Sequence, residues 1–70
     1  MLNTVLDDVK SDYGLLEKSG VTTAGAVGAI KQSVLKYMAT GTLSYPEGVR
    51  LVSSLLLILV KYKEDSKNDT

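Results

Sequence analysis

Cysteine and histidine are both absent from this chain of 70 residues, and so are tryptophan and phenylalanine. Without cysteine no disulfide can staple a small fold. With neither thiolate nor imidazole, a zinc site lacks its preferred ligands. The same two absences remove the nucleophile–base pairs of Ser–His and Cys–His catalysis. Neither an enzyme nor a cofactor is therefore expected. Net charge is lacking too: eight basic residues face eight acidic ones, whereas general nucleic-acid binding draws on a basic excess that displaces counterions. No run reaches the roughly 18 apolar residues that a spanning helix needs. The opening Met1-Leu2-Asn3-Thr4-Val5-Leu6-Asp7-Asp8 has no basic region and turns acidic early, unlike a secretory signal. A cytoplasmic protein, or one housed within a larger particle, is expected.

A chain of this length makes one domain at most, and its core rarely supplies more than about 3–5 kcal/mol. Disulfides, a metal or oligomerisation usually make up the difference. With the first two removed, oligomerisation remains.

What is present reads as helix. Leu2, Val5, Leu6, Val9, Tyr13 and Leu16 recur at spacings of three and four and share one helical face. Thr4 followed by Asp7 has capping-box spacing, and Lys18-Ser19-Gly20 ends the segment with a basic turn and a glycine. The first helix is predicted near residues 4–18. Thr22 or Thr23 can cap a second helix over about 23–39. Its opening turns are built of small residues. Ala24 and Gly28, and likewise Gly25 and Ala29, stand four apart, the spacing of a groove for close helix packing. Val27, Ile30, Val34, Tyr37 and Met38 follow as an apolar stripe. Ser44 and Glu47 form a second capping box around Pro46, which suits a first helical turn. A third helix is predicted over about 45–63. The tail 64–70 has no apolar residue and is expected to fray.

The third helix is the most apolar. Val49, Val52, Leu56 and Leu59 line one face with Lys63, while Leu51, Leu55, Ile58 and Tyr62 line the next. Arg50, Ser53, Ser54, Lys61 and Glu64 mark a polar side, which Leu57 interrupts. A helix apolar almost all round needs cover on most sides, and two amphipathic neighbours cover about half. The expected interface is therefore Leu51, Leu55, Leu57, Ile58 and Tyr62.

Chemistry finds little purchase. Asp8 and Asp12 share a face, where two carboxylates can touch a divalent cation, but the pattern suits an ordinary solvated helix face better. Gly25-Ala26-Val27-Gly28 lacks the spacing of a phosphate loop. A helix-turn-helix reading is disfavoured, because the third helix offers aliphatics where polar or basic side chains would be needed and the second offers only Lys31, Gln32 and Lys36. Charge is unevenly placed: residues 1–20 carry Asp7, Asp8, Asp12 and Glu17 against Lys10 and Lys18, a net of −2, and residues 21–42 only Lys31 and Lys36, a net of +2. That asymmetry names no partner.

An all-α, three-helix unit over residues 1–63 is thus expected, completed into a bundle by self-association, with a homodimer favoured. The function expected is that of a non-enzymatic interaction or structural protein, of the size and composition of small viral, plasmid or regulatory accessory proteins. The alternative is a membrane-active helical protein, holin-like or bacteriocin-like in composition. The acidic first helix and the absence of net positive charge disfavour it. A further alternative is an inhibitor that docks on one host protein.

Overall fold

The computed structural model describes residues 2–68, which form three helices: α1 (Leu2–Lys18), α2 (Thr23–Thr40) and α3 (Tyr45–Asn68). Their ends follow from local chemistry. At the close of α1, Gly20 takes φ 74°, the amide of Val21 donates to the Leu16 carbonyl at 3.1 Å and that of Gly20 to Glu17 at 3.1 Å. This is a Schellman stop, with glycine where a Cβ would be strained. Thr22 caps α2 by accepting from the Gly25 amide at 3.1 Å, and Gly41, at φ 76°, closes it by donating to the Tyr37 carbonyl. The Ser44–Glu47 box forms in both directions: the Glu47 amide donates to Ser44 Oγ at 3.4 Å, and the Ser44 amide donates to Glu47 Oε1 at 3.2 Å.

Two boundaries differ from expectation. Thr4 lies inside α1, which already begins at Leu2, so the Thr4–Asp7 pair is no cap. The polar segment after residue 63 continues α3 as far as Asn68; Asp69 and Thr70 lie outside the described residues. Helical hydrogen bonds and ordinary propensity carry this last turn and a half without an apolar anchor.

Helix α3 is the middle element. Both α1 and α2 pack against it, and among the described residues they do not pack on each other. The interior is small: Val9 and Leu16 from α1, Ala26 from α2, and Leu57 from α3, joined by the serines Ser53 and Ser54. The hydroxyl of Ser53 stands 2.8 Å from the Val49 carbonyl of its own helix and 3.2 Å from the Val9 carbonyl of α1. That of Ser54 donates to the Arg50 carbonyl at 2.8 Å. Back-bonding of this kind hides a hydroxyl within its own helix, and a serine then behaves as a small residue that admits a neighbouring backbone.

This arrangement reverses the expected orientation of α3. The side marked polar by Ser53 and Ser54 faces inward, and Leu57, between them on the wheel, is the centre of the interior at 1% exposure. Leu57 is therefore not an interface residue. The small residues of α2 are also used differently from expectation. Ala24, Gly25 and Gly28 are exposed and Ala29 is half-buried. A Cβ added at Gly28 would meet nothing, and one at Gly25 only the side chains of Thr22 and Val21. Ala26 is the residue that α2 buries.

Candidate interaction surface

The layer of three helices has two unlike sides. On one, an open groove of about 550 Å³ runs along the amino-terminal part of α3, bordered by Asp8, Asp12 and Leu15 of α1 and Ser33 of α2. Its polar groups pin the outer helices to α3. Asp12 accepts two hydrogen bonds from Arg50, Nε at 2.7 Å and Nη2 at 2.8 Å, a bidentate pair. Tyr45 donates its hydroxyl proton to Asp8. Lys36 of α2 donates to Glu47 Oε2 at 2.7 Å, while Ser44 Oγ donates to Glu47 Oε1 at 2.8 Å. Asp8 and Asp12 therefore hold α3 and are not merely solvated. No cluster of three or more metal-ligating side chains occurs among the described residues. The groove's charged and phenolic groups are paired with one another, which makes it a clasp.

The clasp has a pH signature. The hydrogen bond from Lys36, followed by those from Ser44, holds the Glu47 carboxyl down at about 2. The Arg50 hydrogen bonds lower the Asp12 carboxyl as well. A carboxyl whose value is depressed on folding adds stability above its unfolded value, and that stability is lost as pH falls through the folded one. Thermal stability is therefore expected to hold at neutral pH and to decline from roughly pH 5 towards pH 2. Glu47→Gln should flatten the acid limb of a melting-temperature profile. If the Glu47→Gln variant kept the parent's profile unchanged, the Lys36–Glu47 pair would add nothing to stability.

The opposite side is apolar. Val52, Leu55, Leu59 and Tyr62 form a row along the outward face of α3, with 48%, 45%, 62% and 69% of their surfaces exposed. At 100° per residue this row lies across the helix axis from Ser53, Ser54 and Leu57. Beside it, Leu56, Leu59, Val60, Tyr62 and Lys63 line a cleft of about 460 Å³ with almost wholly apolar walls. Val27, Val34 and Met38 of α2 and Leu6 of α1 are exposed as well, outside the lining of the groove.

Of the five residues expected at the interface, Leu55 and Tyr62 stand on this outward row. Leu51 and Ile58 are half-buried at its edge, and Leu57 is buried on the other side. Val52 and Leu59 escape the expected set, because hydropathy assigns their side of the helix to internal packing. The signal that finds them is the adjacent pair Ser53-Ser54: two small back-bonding residues mark the inward side and place Val52, Leu55 and Leu59 outward. Compared with known protein families, with characterised proteins and with solved structures, the chain matches none. No described helix is long and apolar enough to cross a membrane.

Proposed function

We propose that this chain is a non-enzymatic interaction protein that self-associates as a dimer through the outward face of α3. The observation that carries this reading is the row Val52, Leu55, Leu59 and Tyr62, left open on the side of α3 opposite its interior. Two quantities support it. The chain exposes 5320 Å², about 1,000 Å² more than size scaling gives for a compact monomer of its mass. A standard interface takes about 800 Å² from each partner, so one dimer contact would absorb most of this excess. In addition, only Val9, Leu16, Ala26 and Leu57 make up the buried apolar set among the described residues, a small interior for a domain without disulfides. A structural or accessory role in a larger assembly fits a unit whose chemistry lies in its surface.

Sedimentation at several loading concentrations tests this directly. A dimer that dissociates only on dilution is the expected result. A strict monomer at high micromolar concentration would sink the proposal, and flotation with lipid vesicles in place of self-association would assign the same face to lipid.

A further inference from the structure

We infer that the α3 helices of two copies pair antiparallel in a single register, with Leu55 of each chain against Leu59 of the other. The inference rests on the self-association reading and gives the shape of the contact. Gly48, Val52, Leu55, Leu59, Tyr62 and Ser66 are spaced 4-3-4-3-4 along α3. Alternating steps of three and four define the seam of a two-helix coiled coil. From Val52 onward each of these residues is exposed, while Gly48 is half-buried and a Cβ added to it would meet nothing within 4 Å. Arg50 and Leu57 lie on the side of α3 away from the seam, where Arg50 meets Asp12 of α1 and Leu57 fills the interior. The bodies of two paired copies would thus lie on opposite outer sides, clear of each other.

Direction follows from the order of sizes along the seam. A parallel pair sets every residue against itself. The helix separation it needs then runs from the narrow fit of Gly48 on Gly48 at one end to the wide one of Tyr62 on Tyr62 near the other, which two straight helices cannot both meet without a void or overfilling. Reversing one helix sets Gly48 against Ser66, Val52 against Tyr62 and Leu55 against Leu59. Small residues then meet at both ends, a medium one meets a large one, and leucines fill the middle. In this arrangement Val52 of the second copy comes opposite the cleft formed by Leu59, Tyr62 and Lys63. Antiparallel alignment also opposes the macrodipoles of two helices of 24 residues.

The chain has no cysteine of its own, so introduced thiols report on geometry without interference. Gly48→Cys and Ser66→Cys chains, mixed and mildly oxidised, should give mainly the disulfide between the two variants. Ser66→Cys alone should stay uncrosslinked. Spin labels at position 66 should read a separation of about 27 Å or more, the rise over the 18 residues from 48 to 66. Efficient crosslinking of Ser66→Cys with itself, together with a short label distance, would mean parallel pairing and overturn the inference while leaving the dimer intact. A dimer in which neither combination crosslinks would overturn the register. Absence of any dimer in sedimentation would instead remove the reading on which the inference rests.

Discussion

Leu57→Lys is expected to abolish cooperative folding at every protein concentration. Leu57 is 1% exposed and sits with Ser53 and Ser54, which are also fully buried. Truncating a buried leucine to alanine typically costs about 2–5 kcal/mol, because the burial energy is lost and a cavity remains. A lysine in its place adds an ammonium without a partner, a further penalty of several kcal/mol. A domain of this size has about that much stability in total. Circular dichroism with thermal melting is the measurement: the lysine variant should show weak helicity and no transition. Leu57→Ala provides the graded companion, keeping a transition at a lower temperature. If the lysine variant kept parental helicity and melting, Leu57 would be a surface residue and the orientation of α3 described above would be wrong.

That orientation separates what the sequence discloses from what it hides. Segment ends are legible because single residues decide them. Gly20 and Gly41 stop helices by adopting positive φ, Thr22 caps one, and the Ser44–Glu47 pair starts another. Three helices of nearly the expected extent follow. The rotation of α3 about its own axis is harder to read, because hydropathy places serine with the polar residues. A serine whose hydroxyl is returned to its own backbone carries little polar surface outward, and its small volume then decides the packing. Ser53 makes this visible by reaching the Val9 carbonyl at 3.2 Å. Once the two serines point inward, Leu57 goes with them and Val52, Leu55 and Leu59 turn out. The small residues of α2 mislead in the converse way. Four-residue spacing of Ala24, Gly25, Gly28 and Ala29 permits close approach, but among the described residues no packing neighbour lies within 4 Å of a Cβ added at Gly28. Nor does periodicity foretell the clasp. Asp8 and Asp12 meet Tyr45 and Arg50 across sequence separations of 37 and 38 residues, pairings that only the crossing of α1 over α3 determines.

Leu59→Lys is expected to weaken self-association by at least about 100-fold while Leu15→Lys leaves it unchanged. The two leucines are nearly matched in exposure, at 62% and 59%, so hydropathy alone would rank them together. They differ in place: Leu59 lies mid-seam on the outward face of α3, whereas Leu15 borders the groove spanned by the Asp12–Arg50 and Tyr45–Asp8 pairs. Removing a leucine-sized side chain from a contact forfeits about 1.5–3 kcal/mol. A two-fold contact contains the site twice, and each 1.4 kcal/mol is tenfold in affinity, so a loss of about two decades or more is expected. Lysine also brings a charge that must stay hydrated, which keeps the seam from closing. Dissociation constants from sedimentation, with helicity followed in parallel, separate association from folding. Should Leu59→Lys lose helicity as it dissociates, then folding and pairing are coupled, and the parent's melting temperature must rise with concentration. Equal weakening by the two substitutions would show that association does not run through α3, and the outward row would need a different occupant.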